Sequence, residues 1–576
     1  MTKFWTLFLS SGLLLVEALV LPPYASLVSS RAVQSANYDF VIVGGGASGL
    51  VLADRLTEDP KVNVLVIEAG PFDQGEDGIR VPGAWNPVPY FWPGLMTEPL
   101  AALNGRTEQV VVGKGENFNS PDPAFAAASN ISWDNSVRGN GGPLQYGYAN
   151  YNYPGSGHWW SAAKSAGIKS VRDPSSGVNA GLFWVPTVLE PKTQTRCSAR
   201  VAHYDRISTR PNYHVLVEHQ VAKILFKGTR GIGVQYLGSS GSNTSTVFAS
   251  KEIILTAGAV HTPQILQLSG IGPEKVLKSL GIPIVADLPG VGTNFQDHAS
   301  ISVQYNFSNL VTPNAGSIAI NATFATEQRA LYDNHLPSAF TVVRGLGSTF
   351  GALSFRDLTN ASASIISDAR KQDAAASLSP NEHRTVVAGY KAQRNLLIQQ
   401  LQNPDMAVSV TAWDTFSSVM VAVLKPFSRG KVTIKSTDVR TEPKLDYRTA
   451  TDPSDLPIVI ATLRKLRQIM SAPEMAAMGT TEAAPLGAHI QSDDEFEAAL
   501  RDSLTVSSAH QCCSAPMMPL KLGGVVDSQH NVYGVTGLRI ADVSTFPMAV
   551  SGGPAANVYA VAEKVADIVK KTYRLT

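Results

Sequence analysis

Apolar and polar positions change their spacing several times along the chain, and each change marks an element. Phe40 to Val43 is a short continuous apolar run, the pattern of a buried strand. It leads directly into Gly44-x-Gly46-x-x-Gly49, after which Leu50, Leu52, Ala53 and Leu56 recur at helical spacing. A second apolar strand, Val64 to Ile67, follows and ends in Glu68. A glycine triplet alone says little. Placed between strand and helix, with an acid about 20 residues past the turn, it predicts a dinucleotide-binding unit. In that reading Gly44 allows the tight turn, Gly46 and Ala47 open a helix whose free N–H groups face a pyrophosphate, and Gly49 lets helix and strand approach closely. Glu68 is placed to accept hydrogen bonds from a ribose diol.

The pattern then weakens through a Pro-, Gly- and Trp-rich stretch from Pro71 to Asn152 and turns helical again at His158 to Ala166. Tyr213 to Phe226 alternates like a strand pair, and Lys251 to Ala257 reads as a buried strand. A turn and helical pieces follow from Gly258 to Leu280. Between Ser300 and about Thr505 the style changes. Ala407 to Thr411 and Ser417 to Leu424 alternate as in an antiparallel sheet, with helices predicted at Thr385 to Gln402 and Ser454 to Met470. The tail resembles the opening, with a strand at Leu538 to Ile540 and an apolar-periodic helix at Asn557 to Lys570. These elements predict an α/β nucleotide-binding domain assembled from the beginning, middle and end of the chain, with a second domain inserted.

Composition narrows the partners. The chain has 576 residues and a formal charge of +1, with no basic patch, so nucleic acid is not an expected partner. Lys3 and the apolar run Phe4 to Val16 resemble a secretion signal, and Glu17 and Pro22-Pro23 interrupt any extension into a membrane anchor. No later run is long and apolar enough for a membrane span. Sequons at Asn130, Asn243, Asn306, Asn321 and Asn360 fit a secreted or cell-wall-associated glycoprotein. Three cysteines make no disulfide framework. A bond between neighbours Cys512 and Cys513 closes a strained ring, so a Cys197 pairing or free thiols are expected instead. No His/Cys spacing points to a metal site.

Several blocks together resemble the glucose-methanol-choline oxidoreductases. Gly258 to Gly272 (GAVHTPQILQLSGIG) is similar to that family's second signature. GVGTNFQDH (Gly290 to His298), KPFSRGKVTI (Lys425 to Ile434) and GGVVDSQHNVYGVTGLRIADVSTFP (Gly523 to Pro547) follow in the family's order. The resemblance implies an FAD-binding Rossmann-like domain built from discontinuous segments, plus a substrate domain with an antiparallel sheet and flanking helices. It divides the chain into a leader (1–26), FAD-binding parts (36–115 and 196–299), a connecting and substrate-domain segment (116–195), a substrate-binding domain (300–505) and a final active-site and FAD-binding part (506–576). It also implies that Val221 contacts adenine through its backbone, that Ala257 and Gly258 let the chain approach the cofactor, and that Asp542 lies near the ribityl and pyrophosphate. For each polar residue the competing reading is a buried structural role.

The activity implied is oxidation of a small-molecule alcohol, with oxygen or another acceptor taking the electrons. His510, in SSAHQCCSAPMMP, matches the family's first active-site position, and histidine suits a base because its ordinary pKa lies near working pH. His261 and His298 are expected to be structural. Trp159-Trp160, Phe183-Trp184 and Trp413 either line an aromatic-tolerant pocket or belong to the core. The blocks resemble fungal members, some of which tailor secondary metabolites.

Two departures stand out. The second active-site position, usually His or Asn, falls on Gly553, with Asn557 four residues further on. The family's first signature, expected after TEPLAALNGRTEQVVVGKG (Thr97 to Gly115), is absent, and the chain passes straight to ENFNSPDPAF. A misdrawn exon boundary, a true absence and a decaying copy all account for that gap. Both departures fit an alternative, a non-redox cyclase or dehydratase on the same fold.

Overall fold

The computed structural model describes residues 26–84, 97, 123–129, 131–139, 141–238, 241 and 243–576. The secretion signal, the Gly113–Asn117 junction and the sequon at Asn130 lie outside the described residues.

Two sheets organise the rest. The first has seven strands: β1 (Tyr38–Val43), β2 (Val64–Ile67), β4 (Tyr213–Leu216), β5 (His219–Lys227), β6 (Arg230–Gly238), β7 (Thr244–Leu255) and β17 (Leu538–Ile540), in the order β4-β2-β1-β7-β6-β5, with β17 also on β7. β4, β2, β1, β7 and β17 are parallel, and all four residues of β2 are buried, as expected for a strand covered on both faces. β7 serves two neighbours. Its first half pairs antiparallel with β6 and its second half parallel with β1, so a β5–β6–β7 ribbon grows out of the parallel core. The strands expected at Tyr213 to Phe226 both form but do not pair with each other. β4 joins β2, whereas the ribbon turns back until His219 N–H donates to the Glu68 carbonyl at 3.0 Å.

The second sheet has six antiparallel strands: β3 (Gly181–Trp184), β10 (Ser300–Phe307), β11 (Thr349–Leu353), β12 (Ser409–Trp413), β13 (Ser418–Val423) and β16 (Thr480–Glu482), in the order β16-β10-β13-β12-β11-β3. Two short pairs complete the strands, β8 (Ile271–Gly272) with β9 (Ala286–Asp287) and β14 (Lys431–Thr433) with β15 (Lys444–Asp446). The largest apolar core lies on this second sheet. It gathers the helix Asp455–Met470 and the fully buried Trp159 and Trp413. Trp160 stacks on Trp184 at 5.6 Å. These aromatics are therefore packing residues, the second of the two readings open from the sequence.

The predicted helices form as Gly155–Ser165, Arg384–Gln400, Asp455–Met470 and Ala555–Tyr573. Among the described residues no helix is long and apolar enough to cross a membrane.

Candidate active site

The first functional region lies at the carboxyl ends of β1, β2 and β7, where open α/β sheets place their ligands. Gly44 has φ +109°, and a Cβ there would lie 2.6 Å from the Thr256 carbonyl oxygen, so only glycine makes this turn. A Cβ on Gly49 would lie 1.9 Å from the Gly44 carbonyl oxygen, which is the close helix–strand approach expected from sequence. Among the described residues no atom lies within 4 Å of a Cβ added at Gly46. The helix Ala47–Leu56 begins there with no side-chain cap among the described residues, which leaves its first N–H groups to a ligand. Glu68, at the end of β2, accepts hydrogen bonds from Gly45 N–H (2.6 Å) and Gly70 N–H (2.7 Å). Each carboxylate oxygen keeps a further lone pair for a ribose hydroxyl. Val221 is buried on β5, two residues beyond the contact between His219 and Glu68.

A second helix, Gly258–Leu268, starts beside this turn, with Ala257 as its cap residue. Asp542 accepts from Gly258 N–H (2.9 Å) and the Thr262 hydroxyl (2.6 Å), which ties β17 to the helix start. Burial raises the Asp542 carboxyl above its usual range. A Cβ added at Gly258 would meet none of the described residues within 4 Å. One uncapped helix start at Ala47, a second helix start beside it, space over two glycines and a carboxylate at the end of β2 fit the ADP half of a dinucleotide such as FAD.

The second region is made where two distant segments run side by side. Gln296 and Cys512 exchange backbone hydrogen bonds, Gln296 N–H to the Cys512 carbonyl at 3.2 Å and the reverse at 2.9 Å. In this antiparallel register, moving two residues along each segment places His298 opposite His510. Their Nδ1 atoms are 3.0 Å apart and the rings meet edge to face. Asp297 accepts from the backbone N–H groups of His298 (2.7 Å), His510 (3.1 Å) and Ser508 (3.4 Å), so one carboxylate fixes the backbone of both histidines. Ala509, at φ +61°, turns the chain into His510 in a conformation that a residue with a Cβ adopts at a cost of about 1–3 kcal/mol.

The loop facing His510 is held with equal care. Pro547 O accepts from Asn294 Nδ2 (3.0 Å) and Gln393 Nε2 (2.9 Å). Ala549 N–H donates to Gln296 Oε1 (3.1 Å), and Ala549 O accepts from Lys425 Nζ (2.8 Å). A Cβ added at Gly553 would lie 3.5 Å from His510 Nε2. Position 553 therefore faces the histidine as expected for a second active-site position, but it carries no side chain. Asn557 is exposed on the first turn of the helix Ala555–Tyr573.

Electrostatics keeps the histidines neutral. Burial pushes His510 down to about 4 and His298 well below its usual value, with His510 and Lys425 adding to the effect on His298. Burial raises Asp297 to about 7 and lowers Lys425 to about 8.

Two expectations change. His298, expected to be structural, lies against the His510 ring. The only sequence signal was its place at the end of GVGTNFQDH, because the contact depends on a register between residues more than 200 positions apart. Cys512 and Cys513 are bonded to each other, and Cys197 is a buried free thiol. The left-handed backbone at Cys513 (φ +78°) accommodates the small ring. His261 pairs with Glu442 at 3.0 Å. Among the described residues no group of three or more His, Cys, Asp or Glu is placed to hold a metal.

Comparison with known proteins agrees with this layout. The GMC oxidoreductase family profiles match residues 120–300 and 426–562, and an NAD(P)-binding Rossmann-like profile matches residues 42–72. Dehydrogenase xptC of Emericella nidulans is 46% identical over 99% of this chain and 99% of its own length. That alignment runs to 615 positions against the 576 residues here, so the relative carries residues this chain lacks. An FAD-dependent oxidoreductase from Chaetomium thermophilum superposes with a TM-score of 0.92 at 48% identity, covering 94% of this chain and 100% of that one. A fungal aryl-alcohol oxidase superposes at 0.84 with 32% identity, covering 93% and 99%.

Proposed function

Because this chain belongs to the GMC oxidoreductase family and takes FAD as its cofactor, we propose that it oxidises an alcohol group of a small organic substrate, with His510 as the base. The observation that carries this reading is the His510 ring, held neutral by burial, with Nε2 turned to the open position at Gly553. A neutral Nε2 can take the hydroxyl proton as the alcohol is oxidised. Bound FAD supplies the two-electron acceptor for the hydrogen that leaves carbon as hydride. Gly44, Gly46, Ala47, Gly49, Glu68, Val221, Ala257, Gly258 and Asp542 are the residues we assign to holding it. The site offers no second side chain at Gly553, so the protein's other task is positioning, through the loop fixed by Lys425, Gln296 and Asn294.

Substrate class follows by analogy with the aryl-alcohol oxidase, and oxygen is the acceptor we would try first. The non-redox cyclase reading draws on Gly553, but a 46% identical relative that is a dehydrogenase along its whole length weighs against it. The test is anaerobic mixing of the flavin-loaded protein with 4-methoxybenzyl alcohol and a panel of aliphatic alcohols. Bleaching of the flavin band supports the proposal. Turnover with no bleaching and no acceptor consumed would establish the cyclase instead.

We also assign the protein to the secretory pathway. Asn243, Asn306, Asn321 and Asn360 are all exposed, as glycan acceptors must be. A mobility shift of the native secreted protein on endoglycosidase treatment checks this, and an unglycosylated intracellular protein refutes it.

A further inference from the structure

His298 contributes more than packing. Its Nδ1 faces Nδ1 of His510 at 3.0 Å, and two neutral imidazoles in this arrangement can place only one hydrogen between them. Which ring supplies that hydrogen decides what His510 can do. If His298 donates, His510 must carry its own proton on Nε2, and the nitrogen facing position 553 has no lone pair to offer. If His510 donates, its Nε2 is free.

The surroundings of His298 decide between these. Its second nitrogen, Nε2, is buried and makes no hydrogen bond of good geometry. The backbones of Val550 and Leu424 act on the ring in the sense that favours a proton on it, as neighbouring carbonyl acceptors do. Nδ1 already faces a histidine nitrogen, so that N–H belongs on Nε2. A lone pair on Nε2 would meet carbonyl oxygens instead of a donor, which is the costlier arrangement in a dry site. The neighbouring cation, Lys425, is committed to the Ala549 carbonyl at 2.8 Å and does not donate to the ring. Asp297 fixes both backbones, so neither ring can easily swing away.

We propose that His298 is a positioning residue that accepts the Nδ1 hydrogen of His510, and so locks His510 in the tautomer whose Nε2 lone pair faces the substrate position. The neutral His298 also stabilises the His510 imidazolium that forms on proton uptake, because its Nδ1 accepts from the ring that has gained charge. The role in turnover rests on the alcohol-oxidation reading above. The tautomer does not, and it is measured separately.

Neutron diffraction of deuterium-exchanged crystals of the flavin-loaded protein reads the hydrogens directly. Deuterium on Nδ1 of His510 and on Nε2 of His298 is expected. Deuterium on Nε2 of His510, or on Nδ1 of His298, overturns the proposal whatever the substrate proves to be. Kinetics supplies the second arm. His298→Leu removes the acceptor and is expected to slow anaerobic flavin bleaching by 4-methoxybenzyl alcohol by about 10²-fold, in the rate at saturating alcohol more than in the apparent affinity. His298→Gln offers a carbonyl oxygen to His510 Nδ1 and should recover most of that loss. Equal losses in both variants, with His510 unmoved in their crystal structures, would reduce His298 to a packing role and refute the proposal. If no alcohol bleaches the wild-type flavin, the proposed function fails while the deuterium positions still decide the tautomer.

Discussion

Asp297 makes the sharpest prediction about stability. The residue is 6% exposed, and one carboxylate oxygen accepts three backbone N–H groups, yet burial still raises the carboxyl from 3.8 to about 7. A carboxyl harder to ionise in the folded than in the unfolded state costs stability as pH rises. The folded protein keeps its proton between pH 3.8 and about 7 while the unfolded chain has lost it, and each pH unit in that window removes about 1.4 kcal/mol. Above pH 7 the accumulated penalty is about 4 kcal/mol. Asp297→Asn keeps the accepting oxygen and removes the ionisation. Its amide nitrogen then lies beside the Tyr447 hydroxyl, which can accept from it. Urea unfolding followed by tryptophan fluorescence should therefore show the variant gaining on the wild type by about 4 kcal/mol from pH 4 to pH 8, with the gain complete slightly above pH 7. Taking the difference cancels the other titrating groups, including Asp455, which is also raised, to about 6. A stability difference that stays flat across this range would refute the reasoning, because it would mean that Asp297 ionises alike in both states.

Gly553→Asn places a Cβ 3.5 Å from His510 Nε2, an ordinary contact, so the backbone there accepts a side chain. If one missing hydrogen-bonding partner limits the rate, anaerobic flavin bleaching should speed up by about 10²-fold, whereas a weaker apparent affinity with no gain in rate would show that substrate fills this space. Gly44→Ala drives a Cβ to 2.6 Å from the Thr256 carbonyl at φ +109°. The strain of about 1–3 kcal/mol should appear as a several-fold or greater loss of bound flavin on purification, and an unchanged flavin-to-protein absorbance ratio would count against the assigned cradle. Thiol titration of the unfolded protein should find one reactive thiol without reductant, Cys197, and three after reduction. Three thiols without reductant would dissolve the Cys512–Cys513 bond.

What was legible in the sequence was local. The apolar run at β1, the glycine turn and the run at β2 lie within about 30 residues of one another, and hydrophobic spacing with turn chemistry determines them. The long helices read equally well from their period. What escaped was everything set by long-range register. Tyr213–Leu216 and His219–Lys227 were recognisable as strands, but nothing local says that one joins β2 and the other β6. Trp159 and Trp413 carry the same aromatic signal whether they line a pocket or a core, and only the packing of the helix Asp455–Met470 shows the second. At Cys512 and Cys513 the sequence shows only the ring strain, and the left-handed backbone that accommodates the bond belongs to the fold.

Long-range register also makes one unit of two distant histidines. The stretch from Gly290 to His298 leaves the nucleotide-binding domain and continues directly into β10, the strand that enters the second sheet. The segment returning from that sheet bridges Ser300 at Thr505 and then runs back beside the outgoing one to pair Cys512 with Gln296. The crossing between domains is thus a two-stranded ribbon, and its register is fixed at both ends. The residues between those two bridges number three on the outgoing side and six on the returning side, so the returning strand must bulge, and the bulge is where Ala509 takes its left-handed turn. His510 follows immediately, carried on a backbone whose N–H groups point inward to Asp297 instead of across the ribbon. A single carboxylate absorbs the hydrogen bonds that the bulge leaves over. The base is therefore placed by the mismatch in length between the two strands that join the domains, and any change that removes the mismatch should misplace His510 before it unfolds either sheet.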